Sequence, residues 1–270
     1  MLCLETICVL APDMSEVPDG VIMPEIQRKP ARPSATLMIT RQGDEGVEVL
    51  LGNRSESMPS FPGYWAFPGG GVSRVDSAAS ETLGISVQHC AILREVVEEL
   101  GLAPQNGRMT SVDDNFRGMV VEDKANWFPL ALDGDISSDT TGIRVISMRT
   151  TPPFSPMRFE KTFLHIHSVE HDDFSLIGQT EFDDARWMSP SDWIGAWQNN
   201  VIKIAPPVVT LLMDCISNNT IGISLLCFAL GVGIFETISS IDKSIDSLIS
   251  LFIFSRSKST LEKNSFEIPP

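Results

Sequence analysis

The amino-acid sequence predicts an α/β fold of the α+β kind, and three stretches predict it. Ala35 to Thr40 and Val47 to Leu51 are apolar or β-branched runs flanking Gln42-Gly43-Asp44-Glu45-Gly46, a turn composition, so together they form a hairpin. Gln88 to Leu100 places Leu93, Val97 and Leu100 on one helical face, and Gly101 stands where a helix stops. Arg158 to Val169 returns to strand character, with Phe163, His165 and His167 on one face by period two.

The remaining elements follow in order. Residues 12 to 34 carry Pro12, Pro18, Pro24, Pro30 and Pro33, which makes residues 1–33 an extended lead-in and opens the domain, residues 34–215, just before the hairpin. Ser55 to Gly63 is a Pro-containing loop. Residues 103 to 142 are polar and broken, with Asp133 to Gly142 reading as a loop, which suits an insertion of short helices and connections. Ser189-Pro190-Ser191-Asp192 is a helix start ahead of Trp193 and Trp197, an i, i+4 apolar pair.

From Ile216 a tail, residues 216–270, changes character. Ile221 to Phe235 is nearly continuous apolar sequence, and Ile238, Ile241, Ile245, Ile249 and Phe252 recur at helical spacing beside Asp242, Lys243 and Asp246. The first run is shorter than the ~20 residues a bilayer core requires, and Gly222, Gly231 and Gly233 interrupt it, so a membrane span is not expected. A docked helix, a helix contacting a membrane surface or a partner, and an extension without function all fit.

With 43% hydrophobic residues, a chain of 270 can bury one sizeable core and a short appendage. A net charge of −15 argues against a nucleic-acid surface, because duplex binding rests on Lys and Arg neutralising phosphates. An acidic protein can still hold a phosphate if metal ions bridge the two negative parties. Cys3, Cys8, Cys90, Cys215 and Cys227 are odd in number and contain no Cys-x-x-Cys pair, so neither a disulfide framework nor a zinc site follows. Leu2 to Ala11 is apolar, but Glu5 interrupts it and no basic residue precedes it, against a secretory signal. An intracellular, cytoplasmic setting is the expectation. The chain ends Glu267-Ile268-Pro269-Pro270, which is not a peroxisomal Ser-Lys-Leu address.

The chemistry concentrates in the helix. Glu95, Glu98 and Glu99 are spaced i, i+3, i+4, so their side chains neighbour one another on the face opposite Leu93, Val97 and Leu100. Like charges at that spacing oppose an exposed helix by roughly 0.2–0.5 kcal/mol, and by more in a cleft where the field is less screened. A divalent cation removes that repulsion. Hard oxygen ligands grouped this way suit Mg²⁺ or Mn²⁺, and Arg94 is placed to orient one of the glutamates. A merely solvated acidic face is the bland competitor.

Context favours the metal. Arg94-Glu95-Val96-Val97-Glu98-Glu99-Leu100-Gly101-Leu102 resembles the second half of the Nudix box, Arg-Glu-(aliphatic)-x-Glu-Glu-x-Gly-(aliphatic), at every specified position. The first half departs: Ser86 and Ser80 stand where the box has Glu and Gly. Counted forward from Gly70, the acidic position is Asp76, with an insertion before Arg94, and Asp76 and Glu81 are both candidates. Leu50 to Ser55 and Gly63-Tyr64-Trp65-Ala66-Phe67-Pro68-Gly69-Gly70 resemble the signature preceding the box in coenzyme A diphosphatases, except that Gly52 replaces Thr and Pro59 replaces Arg. Thr151-Pro152-Pro153, Arg158-Phe159-Glu160, Glu181 to Trp187 and Ala205-Pro206-Pro207 resemble the branch whose animal members are peroxisomal coenzyme A diphosphatases. The likeness spans about residues 34–215.

That resemblance implies a mixed β-sheet between helices and a hydrolase that cuts a diphosphate linkage in a nucleoside diphosphate-X compound, coenzyme A or an acyl-CoA leading. It also makes a peroxisomal or mitochondrial setting compatible. Metal ligands would be Glu95, Glu98, Glu99 and the Gly70 carbonyl, with Arg94 orienting them and Glu98 or Glu181 as general base. Gly69 and Gly71 allow close backbone approach to the substrate. Arg54 and Arg158 are candidate phosphate contacts, ahead of Arg74, for which surface ion pairing is favoured. Glu181 is equally readable as a surface carboxylate. His165 and His167, with His171, Asp172 and Asp173 behind them, could chelate, but they are left out as partly exposed sheet residues. The rival is a non-catalytic Nudix-shaped ligand sensor or scaffold, whose mark would be loss of the glutamates, all of which are present.

Overall fold

The computed structural model describes residues 30–151, 157–168, 172–179 and 181–217. The apolar run Ile221 to Phe235, the amphipathic stretch after it, most of the lead-in and the prolines 152 and 153 lie outside these residues. Among the described residues no helix is long and apolar enough to cross a membrane.

The predicted hairpin is the centre of the sheet. β1 (Arg32–Gly43) and β2 (Gly46–Arg54) pair antiparallel from Thr40↔Val49 to Gly43↔Gly46, so the turn narrows to Asp44-Glu45. Beyond Thr40 and Val49 the two strands part. β3 (Tyr64–Ala66) then pairs with the end of β2 at Gly52 and Asn53, while β4 (Gly69–Gly71) pairs with the start of β1, Ser34↔Gly71 to Thr36↔Gly69. This parting brings a glycine triplet and the base of the hairpin to one place, and the site is built there.

Two helices follow β4. α1 (Arg74–Leu83) ends at Gly84, and α2 (Val87–Leu100) begins at Ser86, whose hydroxyl accepts from His89 N at 3.2 Å, and stops at Gly101 in the left-handed region, φ +66. Leu93, Val97 and Leu100 are buried as expected, against Ala35, Leu37 and Ile39 of β1 and Leu50 of β2. Arg117, from α3 (Asp114–Glu122), donates from Nη2 to Glu98 O at 3.2 Å, a cation on the carbonyl end of α2. α4 (Trp127–Asp133) completes this side with buried Trp127 and Leu130.

β8 (Phe159–His167) lies parallel to β1 in register Arg32↔Phe159 through Thr40↔His167. β9 (Phe182–Met188) runs antiparallel along β2, and β10 (Lys203–Ile204) parallel to β3. The sheet is therefore mixed, as the fold class required. β1 starts two residues before the predicted boundary at 34, since Arg32 and Pro33 already pair with Phe159 and Glu160.

Beyond the hairpin and β8, the strands are absent from the sequence-based expectation: β3, β4, β9 and β10, and three more. β5 (Leu102–Gln105) and β6 (Arg108–Ser111) make a hairpin inside the stretch read as broken. β7 (Arg144–Thr150) borders β8 at the end of the sheet, and most of its residues are exposed. A register shift between Val145 and Ser147 breaks its alternation, so no period-two signal survives.

Two compact units divide the chain, one holding the described residues of Met1–Ser189 and Ile202–Ala205, the other those of Pro190–Val201 and Pro206–Pro270. In the second, α5 (Pro190–Gln198) starts at the predicted signal and packs on α6 (Pro206–Ser217), burying Trp193, Ile194, Val208, Val209, Leu211 and Leu212. α6 runs across the expected boundary at 215.

Candidate active site

Arg94 is the hub. Its guanidinium is 2% exposed and grips Asp76 with two bonds, Nε to Oδ1 at 2.8 Å and Nη2 to Oδ2 at 3.0 Å. Nη2 also meets Glu95 Oε1 at 3.0 Å and Gly71 O at 3.3 Å, and Nη1 donates to both oxygens of Glu98 at 3.1 Å. Burial alone would pull this guanidinium's pKa down, but the bonds to Asp76 and the charges of Glu95, Asp76 and Glu98 raise it. Three carboxylates around one cation leave the centre negative.

The open choice at the first acidic position resolves geometrically. Asp76 is fully buried and also accepts from Ser73 N at 2.7 Å and Ser73 Oγ at 2.9 Å, locking the first turn of α1 to α2, whereas Glu81 is exposed. The Arg94–Asp76 contact is thus made by folding, with α1 carrying the acid to α2.

The acid face is more enclosed than an amphipathic helix suggests. Glu95 and Glu99 are buried, and Glu98 keeps more solvent. Desolvation pushes Glu95 up to about 7, against the pull of Arg94 and with the help of Glu98 and Glu181. Glu99 stands well above its ordinary value, first through burial, then through Glu95 and Glu181, with the Gly69 N–H and Arg54 opposing. Glu98 is raised by desolvation, Arg94 opposing.

Glu99 Oε2 accepts from Gly69 N at 2.8 Å, while Oε1 is buried with no hydrogen-bond partner. Gly69 has φ +139, and a Cβ there would lie 2.7 Å from Thr36 Cα, so only glycine fits. A Cβ on Gly70 would sit 2.6 Å from Glu95 Cδ. Gly70→Ala should therefore displace a carboxylate that Arg94 holds, costing about 1–3 kcal/mol of stability and about 10–100-fold in turnover. Denaturant melts and kcat/KM on the same preparation check it, and an unchanged kcat/KM would show that Glu95 need not stay where it is.

Glu181 precedes β9. Its Oε2 lies 3.6 Å from Arg54 Nη1, and its charge raises both Glu95 and Glu99, so Arg54 and Glu181 join the cluster. Arg158 is not grouped with it by any of these bonds: it stands just before β8, with Nε on Thr151 O at 3.3 Å. Arg74 is exposed at the start of α1. His165 Nε2 and His167 Nδ1 both meet Thr40 Oγ1, at 2.9 and 3.0 Å, and burial, then His167 and Arg144, lower His165 to about 4. Asp172 is engaged by Arg108 and Ser111 N. Lys161, which the sequence reading passed over, lies near enough to Arg54 and Glu99 for their charges to act on it; its signal is its parity with Phe163, His165 and His167 on β8.

Among the described residues no three His, Cys, Asp or Glu side chains form a ready-made chelate, because Arg94 already occupies Glu95 and Glu98. The donor set still fits a hard divalent ion: an orphaned Glu99 oxygen, the clustered carboxylates of Glu95 and Glu98 beside it, and a glycine cradle next to them.

The NUDIX domain family matches residues 30–206. A NUDIX hydrolase from Alicyclobacillus acidocaldarius shares the fold, with TM-score 0.62 and 22% identity over 69% of this chain and 91% of that one. The NUDIX domain of Shewanella oneidensis NrtR complexed with ADP ribose aligns at TM-score 0.45, with 14% identity over 71% of this chain and 90% of that one. No protein among curated sequences matches. The chain belongs to the NUDIX domain family.

Proposed function

We propose that the protein cleaves the diphosphate linkage of a nucleoside diphosphate-X compound with a divalent ion, Mg²⁺ or Mn²⁺, and that coenzyme A or an acyl-CoA is its leading substrate. The observation that carries this reading is the buried Arg94 hub, which gathers Asp76, Glu95 and Glu98 beneath Gly71, next to a Glu99 oxygen without a partner. Glu95, Glu98, Glu99 and the Gly70 carbonyl would hold the ion. Gly70 pairs with Ala35 in the sheet, and a ladder carbonyl keeps a second lone pair. When bound, such an ion neutralises the diphosphate and lowers the pKa of the attacking water.

The chain's own groups supply the rest. Water adds to one phosphorus, the bridging P–O bond breaks, and a carboxylate takes the proton. Glu181 suits that role because its side chain keeps 40% exposure, while both oxygens of Glu98 rest on Arg94. Arg54, held by Ser60 O at 3.1 Å and beside Glu181, would face a phosphate oxygen.

The coenzyme A branch rests on the likeness of residues 50–70, and its main departure has a physical reason. A Cβ at Gly52 would lie 2.7 Å from the Phe182 ring, so that ring fills the space a threonine would take.

Incubation with Mg²⁺ or Mn²⁺ and a panel of diphosphates, including coenzyme A and its thioesters, tests the reading by product mass. Release of adenosine 3′,5′-diphosphate and a phosphopantetheine is expected from coenzyme A. Binding without product from any member would favour the ligand-sensor alternative.

A further inference from the structure

We propose that Lys161 is a substrate-binding residue whose ammonium, with Ser34 Oγ beside it, receives a phosphate oxygen of the anionic substrate. The inference rests on the diphosphate-cleaving reading above. Lys161 of β8 is in register with Ser34 of β1, and Ser34 in turn with Gly71 of β4. Residues in register send their side chains to the same side of a sheet. Lys161 and Ser34 therefore stand side by side, one strand from the glycine whose carbonyl Arg94 grips. The alternate residues, Ala35 on β1 and Leu164 on β8, carry the apolar core, so these two polar groups are not part of it.

Both groups are unspent. Ser34 Oγ is buried with no hydrogen-bond partner. Among the described residues no carboxylate or hydrogen-bond acceptor pairs with Lys161 Nζ, which lies 5.9 Å from the Phe163 ring centroid. The residue keeps some exposure along its length, but its ammonium is desolvated, and that together with the nearby Arg54 lowers its pKa while Glu99 opposes. A desolvated cation without a carboxylate partner costs the protein stability, and an anionic ligand would offset that cost. Two phosphates joined by the bond to be cut supply it, with Arg54 on the same centre.

A structural role, as counter-charge to Glu99, makes the opposite prediction, and Lys161→Met separates the two. Removing an unpaired, desolvated ammonium should leave the full-length protein melting at or above the wild-type temperature; removing a counter-charge would lower it. The same variant should raise KM for the diphosphate the wild type cleaves fastest by about tenfold or more, with a smaller change in kcat. Calorimetric titration of the Mg²⁺-loaded proteins with inorganic pyrophosphate should show the same loss, partly recovered in Lys161→Arg. A lower melting temperature with unchanged KM, or equal pyrophosphate affinity in wild type and Lys161→Met, would overturn the assignment, as would no pyrophosphate binding by the wild type. Should the wild type bind pyrophosphate through Lys161 yet cleave no diphosphate, this inference stands and the enzymatic reading falls.

Discussion

Replacing Arg94 by alanine should destabilise the protein by about 3–5 kcal/mol and abolish turnover, because it leaves several buried carboxylates without their counter-charge. Asp76 is fully buried and loses two of its four hydrogen bonds, and Glu95 and Glu98 lose the cation that offsets their desolvation. The alternative to that cost is protonation of the acids, which defeats their use as ligands. Arg94→Lys should recover part of the stability and little of the activity, since one ammonium cannot reproduce a fork reaching Asp76, Glu98 and Gly71 O together. Urea unfolding of Arg94→Ala, Asp76→Ala and the double variant would measure the coupling, expected to be on the order of 1–3 kcal/mol. Additive effects would show that the Arg94–Asp76 contact is not what joins α1 to α2.

The legible parts of this fold are those where local chemistry and tertiary environment ask for the same residue. The hairpin, the helix ending at Gly101 and strand β8 are of that kind: one face of each is apolar and buried, so periodicity reports the fold directly. β7 fails because it borders the sheet, mostly exposed and carrying a register shift. In the site, Glu95, Glu98 and Glu99 are neighbours along one helix, so their grouping is a property of spacing alone. Asp76 and Lys161 reach the centre through tertiary contacts across an inserted helix and a parallel crossover, and spacing is blind to both. Composition likewise suggests a solvated acid face, whereas the structure buries Glu95 and Glu99, since the glycine loop that packs over them contributes no side chains to the pattern.

Glu99→Gln should remove at least about 100-fold of turnover while making the metal-free protein more stable at neutral pH. The amide oxygen can still accept from Gly69 N, so the glycine loop keeps its anchor. What disappears is a buried negative charge and the orphaned oxygen that a cation would satisfy. The sign of the pH effect follows from the raised carboxylates. Glu95, at about 7, and Glu99, well above its ordinary value, favour the folded state when protonated; that contribution is fully present below about 4.5 and is lost as pH rises through about 7. His165 acts oppositely: lowered to about 4, it withdraws stability as pH falls below about 6.5 toward that value. Comparing variant with wild type cancels the histidine. Melting temperatures from pH 4 to 8 should therefore converge at the acid end and favour Glu99→Gln increasingly above pH 5. Mg²⁺ should raise the wild type most where its carboxylates have lost their protons, and the variant much less. An equal Mg²⁺-induced shift in both proteins, with turnover intact, would remove Glu99 from the metal shell.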